Sequence, residues 1–136
     1  MTINEIQNKI IEEFSDLNDG FDKYQYIVNL GKSLEPLKEK YKTEEYLING
    51  CQSNAWLKTE ILDNKIFFSA DSDSLIIKGI ISLLLRVVNN QSPADILNNE
   101  LYFIERTGLS SNLSPARGNG LFTMINQIRT FAENCY

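Results

Sequence analysis

The hydrophobic positions in the first third of the chain recur with a helical spacing. Apolar residues return every three or four positions from Ile3 to Leu17 and again from Phe21 to Leu34, which places them on one face of a helix. The turn-forming residues 18–20 separate the two stretches, and Pro36 disfavours helix at the residue before it. The pattern therefore predicts two amphipathic helices, followed by a charged, solvated connector over residues 38–45.

A period of two begins after residue 53. Apolar and polar side chains alternate over residues 54–62, and an apolar-rich run returns over residues 65–70, as expected of two half-buried strands. Asp63 and Asn64 lie between them, and both tolerate the positive φ of a two-residue hairpin turn. We predict a β-hairpin here, with residues 46–48 offering a third strand.

Helices are again predicted in the second half of the chain. Ten of the fourteen residues from Leu75 to Val88 are apolar and lie all round the helix, so this helix should be buried on most sides. Either Ser72 or Asp71 can cap it. Ser114-Pro115 begins a final helix, whereas residues 100–112 show no clear period. The predicted fold class is α+β, a small antiparallel sheet packed against several helices.

Length and composition limit the function further. The chain has 136 residues, which fits a single domain over residues 1–136. A net charge of −5 argues against nucleic-acid binding, and no apolar run approaches the roughly 20 residues of a membrane span. The N-terminus carries no export signal, so we expect a cytoplasmic protein whose cysteines are free thiols.

Several kinds of active site are excluded by what the chain lacks. It has no histidine, the base that Cys–His and Ser–His catalysis require. Its two cysteines cannot supply the four ligands of a structural zinc site or of an iron–sulfur cluster. No glycine-rich phosphate motif occurs, and we expect no metal and no cofactor in the chain itself.

Cys51 is the residue best suited to chemistry. It follows Gly50, whose backbone freedom lets a thiol project from a tight loop. A partly ionised thiolate attacks a disulfide or persulfide sulfur without a general base, so sulfur chemistry is open to this chain. The alternative is a buried structural cysteine that packs as a small apolar side chain, and the spacing alone does not exclude it.

Three blocks of sequence, in order along the chain, carry a family resemblance. They are residues 48–57 (INGCQSNAWL), 71–79 (DSDSLIIKG) and 113–121 (LSPARGNGL). The blocks resemble the active-cysteine, middle and C-terminal motifs of the SufE/CsdE family, the sulfur acceptors of cysteine desulfurases. The resemblance implies a SufE/IscU-like fold over most of the chain.

The resemblance also implies a function. Cys51 would take sulfur as a persulfide from a cysteine desulfurase of the SufS/CsdA type, stimulate that desulfurase, and deliver the sulfur to an iron–sulfur scaffold of the SufB type. Pyridoxal phosphate would then belong to the desulfurase. This chain would be a sulfur-transfer partner that carries a covalent intermediate, and not itself an enzyme.

Five residues receive supporting roles from the same resemblance. Gly50, Gln52 and Ser53 would shape the loop around the thiol. Asp73 would act through the start of its helix, for which simple capping is the alternative. Arg117 would face the thiolate or a carboxylate of the partner, unless it is an ordinary surface arginine.

Two other functions remain open. A scaffold that assembles clusters needs several ligand cysteines, and this chain has one apart from the residue next to its C-terminus. A thiol redox protein needs a resolving cysteine, and Cys135 is the only candidate. Because chain ends are usually poorly ordered, we expect Cys135 to be an incidental exposed thiol.

Overall fold

The described residues form six α-helices and one two-stranded antiparallel sheet. They are residues 1–17, 20–48, 54–109 and 115–135 of a computed structural model, with side chains in the last range described from Gly120 onward. The predicted α+β fold class is confirmed. In chain order the elements are α1 (Ile3–Ser15), α2 (Gly20–Ser33), β1 (Ala55–Leu62), β2 (Lys65–Ser72), α3 (Leu75–Val88), α4 (Pro93–Asn98), α5 (Phe103–Arg106) and α6 (Pro115–Cys135).

The hairpin forms where the alternating pattern predicted it. Asp63 and Asn64 have φ angles of 52° and 62°, so both central residues adopt the left-handed geometry of a type I′ turn. Pairing continues from the turn to Ala55, which lies opposite Ser72. The second strand therefore runs two residues beyond its predicted end at residue 70.

A single bridge takes the place of the expected third strand. The connector before the hairpin contains two 3₁₀ turns, Glu39–Tyr41 and Glu44–Tyr46. Because the second turn winds the chain as far as residue 46, Leu47 alone makes an isolated bridge, opposite Trp56. The connector is also more regular than a solvated loop.

Helix α3 lies at the centre of the core. Nine of its fourteen residues are buried, as its apolar composition predicted. It packs against both α2 and β2. Gly79 of α3 faces the backbone of Ile27, and Gly31 of α2 faces the backbone of Leu75. Since neither glycine has a side chain, the two helix backbones come into direct contact.

Polar side chains tie α1 to the other helices. Glu13 pairs with Arg86 of α3 at 2.6 Å and accepts a hydrogen bond of 2.6 Å from the hydroxyl of Tyr26 on α2. The hydrogen bond from Arg86 lowers the pKa of Glu13, while burial and the bond to Glu13 raise the pKa of Tyr26 to about 12. Gln7 is fully buried, and its side-chain oxygen accepts the N–H groups at the start of α5. These hydrogen bonds attach α1 to the start of α5, which lies in the stretch where the sequence showed no clear hydrophobic period.

Helix α6 ends beside the hairpin turn. It begins at Pro115, as the Ser-Pro signal predicted. Phe131 packs edge to face on Phe68 of β2, with ring centroids 6.5 Å apart. Cys135, at the end of the helix, lines a small cleft with Asn64 of the turn. The C-terminal thiol therefore lies at the turn end of the hairpin.

Candidate functional site

Four of the predicted site residues lie outside the described part of the chain. They are Gly50, Cys51, Gln52 and Ser53. The structure bears on them through the flanking residues, Ile48 before the segment and Asn54 after it. Cys51 is three residues from each flank in the chain.

Both flanks are hydrogen-bonded to the end of the hairpin opposite its turn. The N–H of Ile48 donates to the carbonyl of Ala55 at 2.8 Å. The carbonyl of Asn54 accepts two hydrogen bonds, from Oγ of Ser72 at 2.8 Å and from the N–H of Asp73 at 3.0 Å. The first and second motif blocks of the sequence are thus joined directly, through the carbonyl group of Asn54.

Two serines organise the second block. Oγ of Ser72 donates to Asn54 and also accepts the N–H of Ser74 at 3.1 Å. Ser74 is the N-cap of α3, since its Oγ accepts the N–H of Ile77 at 3.4 Å. The sequence predicted Ser72 or Asp71 as the cap, but β2 continues through residue 72 and the cap is Ser74. Ser72 contributes at the helix start by accepting the N–H of that cap residue.

Asp71 is the most heavily bonded carboxylate of the second block. Its side chain is 1% exposed. Its two oxygens accept the backbone N–H groups of Leu37 at 3.1 Å and of Ser72 at 2.8 Å, and pair with the ammonium groups of Lys42 at 3.2 Å and Lys78 at 3.4 Å. Burial raises the pKa of the carboxyl, but the four donors outweigh burial and the pKa lies below its ordinary value. Asp71 therefore remains ionised inside the protein.

The connector before Cys51 is anchored by this carboxylate. Lys42 was expected to be solvated with the rest of residues 38–45, yet its ammonium group pairs with Asp71 and lies 5.6 Å from the centre of the Trp56 ring. The hydrogen bond to Asp71 raises the pKa of Lys42. The sequence did not predict this ion pair, because a run of charged residues does not show which lysine will meet a buried carboxylate.

Asp73 and Arg117 are the two remaining predicted site residues, and the structure describes the side chain of Asp73 but not that of Arg117. The backbone of Asp73 bonds to Asn54, but its carboxylate is exposed and pairs with none of the described residues. Its influence on the neighbouring segment stays a prediction. Arg117 lies in the first turn of α6, and its side chain is outside the described part of the structure.

Cys135 is the cysteine that the structure describes. It is unpaired, and it is half-buried where an exposed thiol was expected, because it lines a small cleft with Asn64, Pro93 and Ala94. No group of three or more carboxylates and cysteines able to hold a metal ion occurs in the described ranges. Within the same ranges, no helix is long and apolar enough to cross a membrane.

Sequence reasoning missed Asp71, Lys42 and Lys78 as parts of the site. The first of these lies inside a motif block that was singled out for its other aspartate. The lysines come from elements on either side of it, one from the connector and one from α3. The signal that could have identified Asp71 is its position directly after the apolar-rich run of the second strand. An aspartate buried there needs hydrogen-bond or ion-pair partners.

Comparison with known proteins decides the family. The family model described as "SufE: Fe-S metabolism associated domain" matches residues 8–132, a range that contains all three motif blocks. The chain belongs to the SufE family. The resemblance seen in the sequence is confirmed, and membership assigns the protein to iron–sulfur metabolism.

Relatives at moderate identity extend over most of the chain. An uncharacterized SufE-like protein of Synechocystis is 33% identical over 124 residues, which are 91% of this chain and 78% of the relative. An uncharacterized SufE-like protein of Rhizobium etli is 35% identical over 131 residues, 93% of this chain and 88% of the relative. The match therefore concerns nearly whole proteins.

A solved structure has the same fold. The solution structure of a hypothetical protein from Thermus thermophilus matches with a TM-score of 0.76 over 96% of this chain and 95% of that one. The two sequences are 17% identical, so the likeness concerns the fold alone.

Proposed function

We propose that this protein accepts sulfur from a cysteine desulfurase on Cys51, stimulates that desulfurase, and passes the sulfur to an iron–sulfur cluster assembly scaffold. The observation that carries the proposal is membership of the SufE family in a chain whose one cysteine within the matched range is Cys51. The hydrogen-bonded flanks of the Cys51 segment support it further, since a carrier thiol must meet its partner in a defined place.

The proposed step is an exchange between sulfur atoms. The Cys51 thiolate attacks the outer sulfur of a persulfide on the desulfurase. A new S–S bond forms at Cys51, the S–S bond of the desulfurase persulfide breaks, and the desulfurase cysteine leaves as a thiolate. The transferred sulfur keeps its proton, so Cys51 carries S–SH. One thiolate is consumed and one is released, and the step needs no oxidant and no general base.

The finer identities of the partners belong to the same proposal. The desulfurase would be of the SufS/CsdA type and would hold the pyridoxal phosphate, and the recipient would be a scaffold of the SufB type. This chain, acting as one domain over residues 1–136, would have no cofactor of its own. Free thiols require a reducing compartment, so the proposal places the protein in the cytoplasm. The supporting residues are those named from the sequence: Gly50, Gln52, Ser53, Asp73 and Arg117.

Mass spectrometry with a desulfurase and cysteine tests the proposal. The parent protein and Cys135→Ser should each gain about 32 Da, the mass of one sulfur atom, and that gain should disappear on treatment with a reducing thiol. Cys51→Ser should gain nothing, because a hydroxyl of almost the same size cannot hold a persulfide. Sulfide release by the desulfurase should rise with the parent and with Cys135→Ser, but not with Cys51→Ser.

The outcomes separate the competing functions. Full stimulation by Cys51→Ser would sink the proposal. Iron bound by the parent protein, with no gain of sulfur, would indicate a cluster scaffold instead. A disulfide between Cys51 and Cys135 formed during turnover would indicate a thiol redox protein.

A further inference from the structure

One of the hydrogen bonds at the flank of the Cys51 segment comes from a buried hydroxyl. Ser72 has a single hydroxyl proton, which it donates to the carbonyl of Asn54 at 2.8 Å, and it accepts the N–H of Ser74 at 3.1 Å. A hydroxyl engaged on both sides has one orientation. Ser72 is 6% exposed, so solvent competes little for either bond.

The backbone of the same residue is also hydrogen-bonded. Its N–H donates to Oδ1 of Asp71 at 2.8 Å. That carboxylate is in turn held by Lys42 from the connector and by Lys78 from α3. Ser72 is thus linked through its N–H and Asp71 to the connector and to α3, while its hydroxyl donates to the residue that follows the Cys51 segment.

We propose that Ser72 is a positioning residue of the sulfur-accepting site, acting through the Asn54 carbonyl on the segment that carries Cys51. The inference rests on the proposed function. Without the hydroxyl, the N–H of Asp73 is the one donor to that carbonyl left among the described residues. The flank then gains freedom, whereas the surface that a partner meets keeps its composition, because Ser72 is buried. The loss should fall on the transfer step and not on binding of the partner.

A pair of variants with the same shape isolates the hydroxyl. Ser72→Thr keeps the hydroxyl and adds a methyl group to Cβ. Ser72→Val adds the same methyl group and replaces the hydroxyl by a second one, so the two variants have nearly the same shape. Ser92→Ala is the matched control, since Oγ of Ser92 caps α4 through the N–H of Asp95 at 3.1 Å, outside the second motif block. Stimulated sulfide release is measured against the concentration of each variant, which yields kcat and KM.

We expect kcat to be lower by about fivefold or more in Ser72→Val than in Ser72→Thr, with KM the same within about twofold, since misplacement of a reacting group lowers the rate of the chemical step. Ser92→Ala should keep the parent kcat although it loses a helix cap. Alkylation of Cys51 in the free protein, in a Cys135→Ser background, should also differ between the valine and threonine variants. If the valine variant does not fold, Ser72→Ala and Ser92→Ala give the same comparison.

Equal kcat values and equal alkylation rates in the valine and threonine variants would overturn the inference. A difference confined to KM would also overturn it, because that result would assign Ser72 to partner binding. Failure of the proposed function itself has a separate signature, namely stimulation that persists in Cys51→Ser whatever residue occupies position 72.

Discussion

Asp71 illustrates how a single buried charge can organise a site. Its carboxylate accepts two backbone N–H groups and pairs with two ammonium groups, and the donors Leu37 and Lys42 come from the connector, about 30 residues earlier in the chain. Removing one member of a buried ion cluster costs more than the cluster contributes as a whole, because the remaining charges lose their counter-ion. The two lysines keep 23% and 21% of their side-chain surface exposed, so water can compensate them in part.

Asp71→Asn should therefore destabilise the protein by about 3 kcal/mol near neutral pH, at the lower end for breaking a buried pair. An unfolded aspartate has a pKa of about 3.9, and the pKa of folded Asp71 lies below that. The stability that its charge provides is complete above about pH 4 and is lost as the pH falls through the folded pKa. The gap between parent and variant should consequently narrow below about pH 4. Urea unfolding across the acid range measures it.

The neighbouring aspartate is the control for this experiment. The Asp73 carboxylate is exposed and pairs with none of the described residues, so Asp73→Asn should change the free energy of unfolding by no more than about 0.5 kcal/mol. An Asp71→Asn variant as stable as the parent at neutral pH would contradict this prediction, because it would show that the charge of Asp71 makes no net contribution to stability.

Among the elements, α2 and α3 cross with their backbones in direct contact. A Cβ atom on Gly79 would meet the carbonyl of Ile27, and one on Gly31 would meet the carbonyl of Leu75. A backbone carbonyl cannot turn aside as a flexible side chain can, so one helix would have to move. Since the second motif block contains the start of α3 and its cap, movement of this helix would reach the candidate site.

Gly79→Ala should lower the free energy of unfolding by about 2 kcal/mol, because overpacking costs up to about 3 kcal/mol and the better helix propensity of alanine returns about 1 kcal/mol. Gly20→Ala is the matched control, since no atom lies within 4 Å of a Cβ placed there, and it should leave stability unchanged or slightly raised. Chemical denaturation of the three proteins checks both values. Equal stability of Gly79→Ala and the parent would show that the helices separate without cost.

At the scale of the whole molecule, the two ends of the hairpin have different chemistry. The Cys51 segment is attached at the end formed by Ala55 and Ser72, whereas Cys135 lies at the turn. Strand β1 has eight residues, so these ends are about 23 Å apart. Cys51 is three residues from Asn54, a reach of about 11 Å at full extension. A disulfide needs its Cα atoms within about 7 Å, which the folded chain does not favour for this pair.

Mild oxidation of the folded protein should therefore leave Cys51 and Cys135 unlinked within one chain. Peptide mapping of the monomer without reductant measures the link directly, and the same treatment in denaturant provides the control in which the two thiols can meet. A Cys51–Cys135 disulfide that forms as readily in the folded protein as in denaturant would contradict this separation and would revive the thiol redox function.

The sequence by itself determined the elements whose causes are local. An all-round apolar stretch is buried wherever it folds, so α3 was predictable, and two residues that tolerate positive φ were enough to place the hairpin turn. The position of Cys51 in its motif was likewise legible without a structure, because family motifs are a property of the chain.

Contacts between distant segments were decided only by the tertiary structure. Residues 46–48 were expected to form a strand. In the structure they make one isolated bridge, because the preceding 3₁₀ turn leaves little extended chain to pair. The cap of α3 is Ser74 and not one of the predicted residues, because strand pairing continues through Ser72. Asp71 meets the N–H of Leu37 across 34 positions, a partner that no local pattern specifies. Such pairings depend on which surfaces pack together when the core forms. A hydrophobic pattern predicts that an element is buried, but it does not predict which element packs against it.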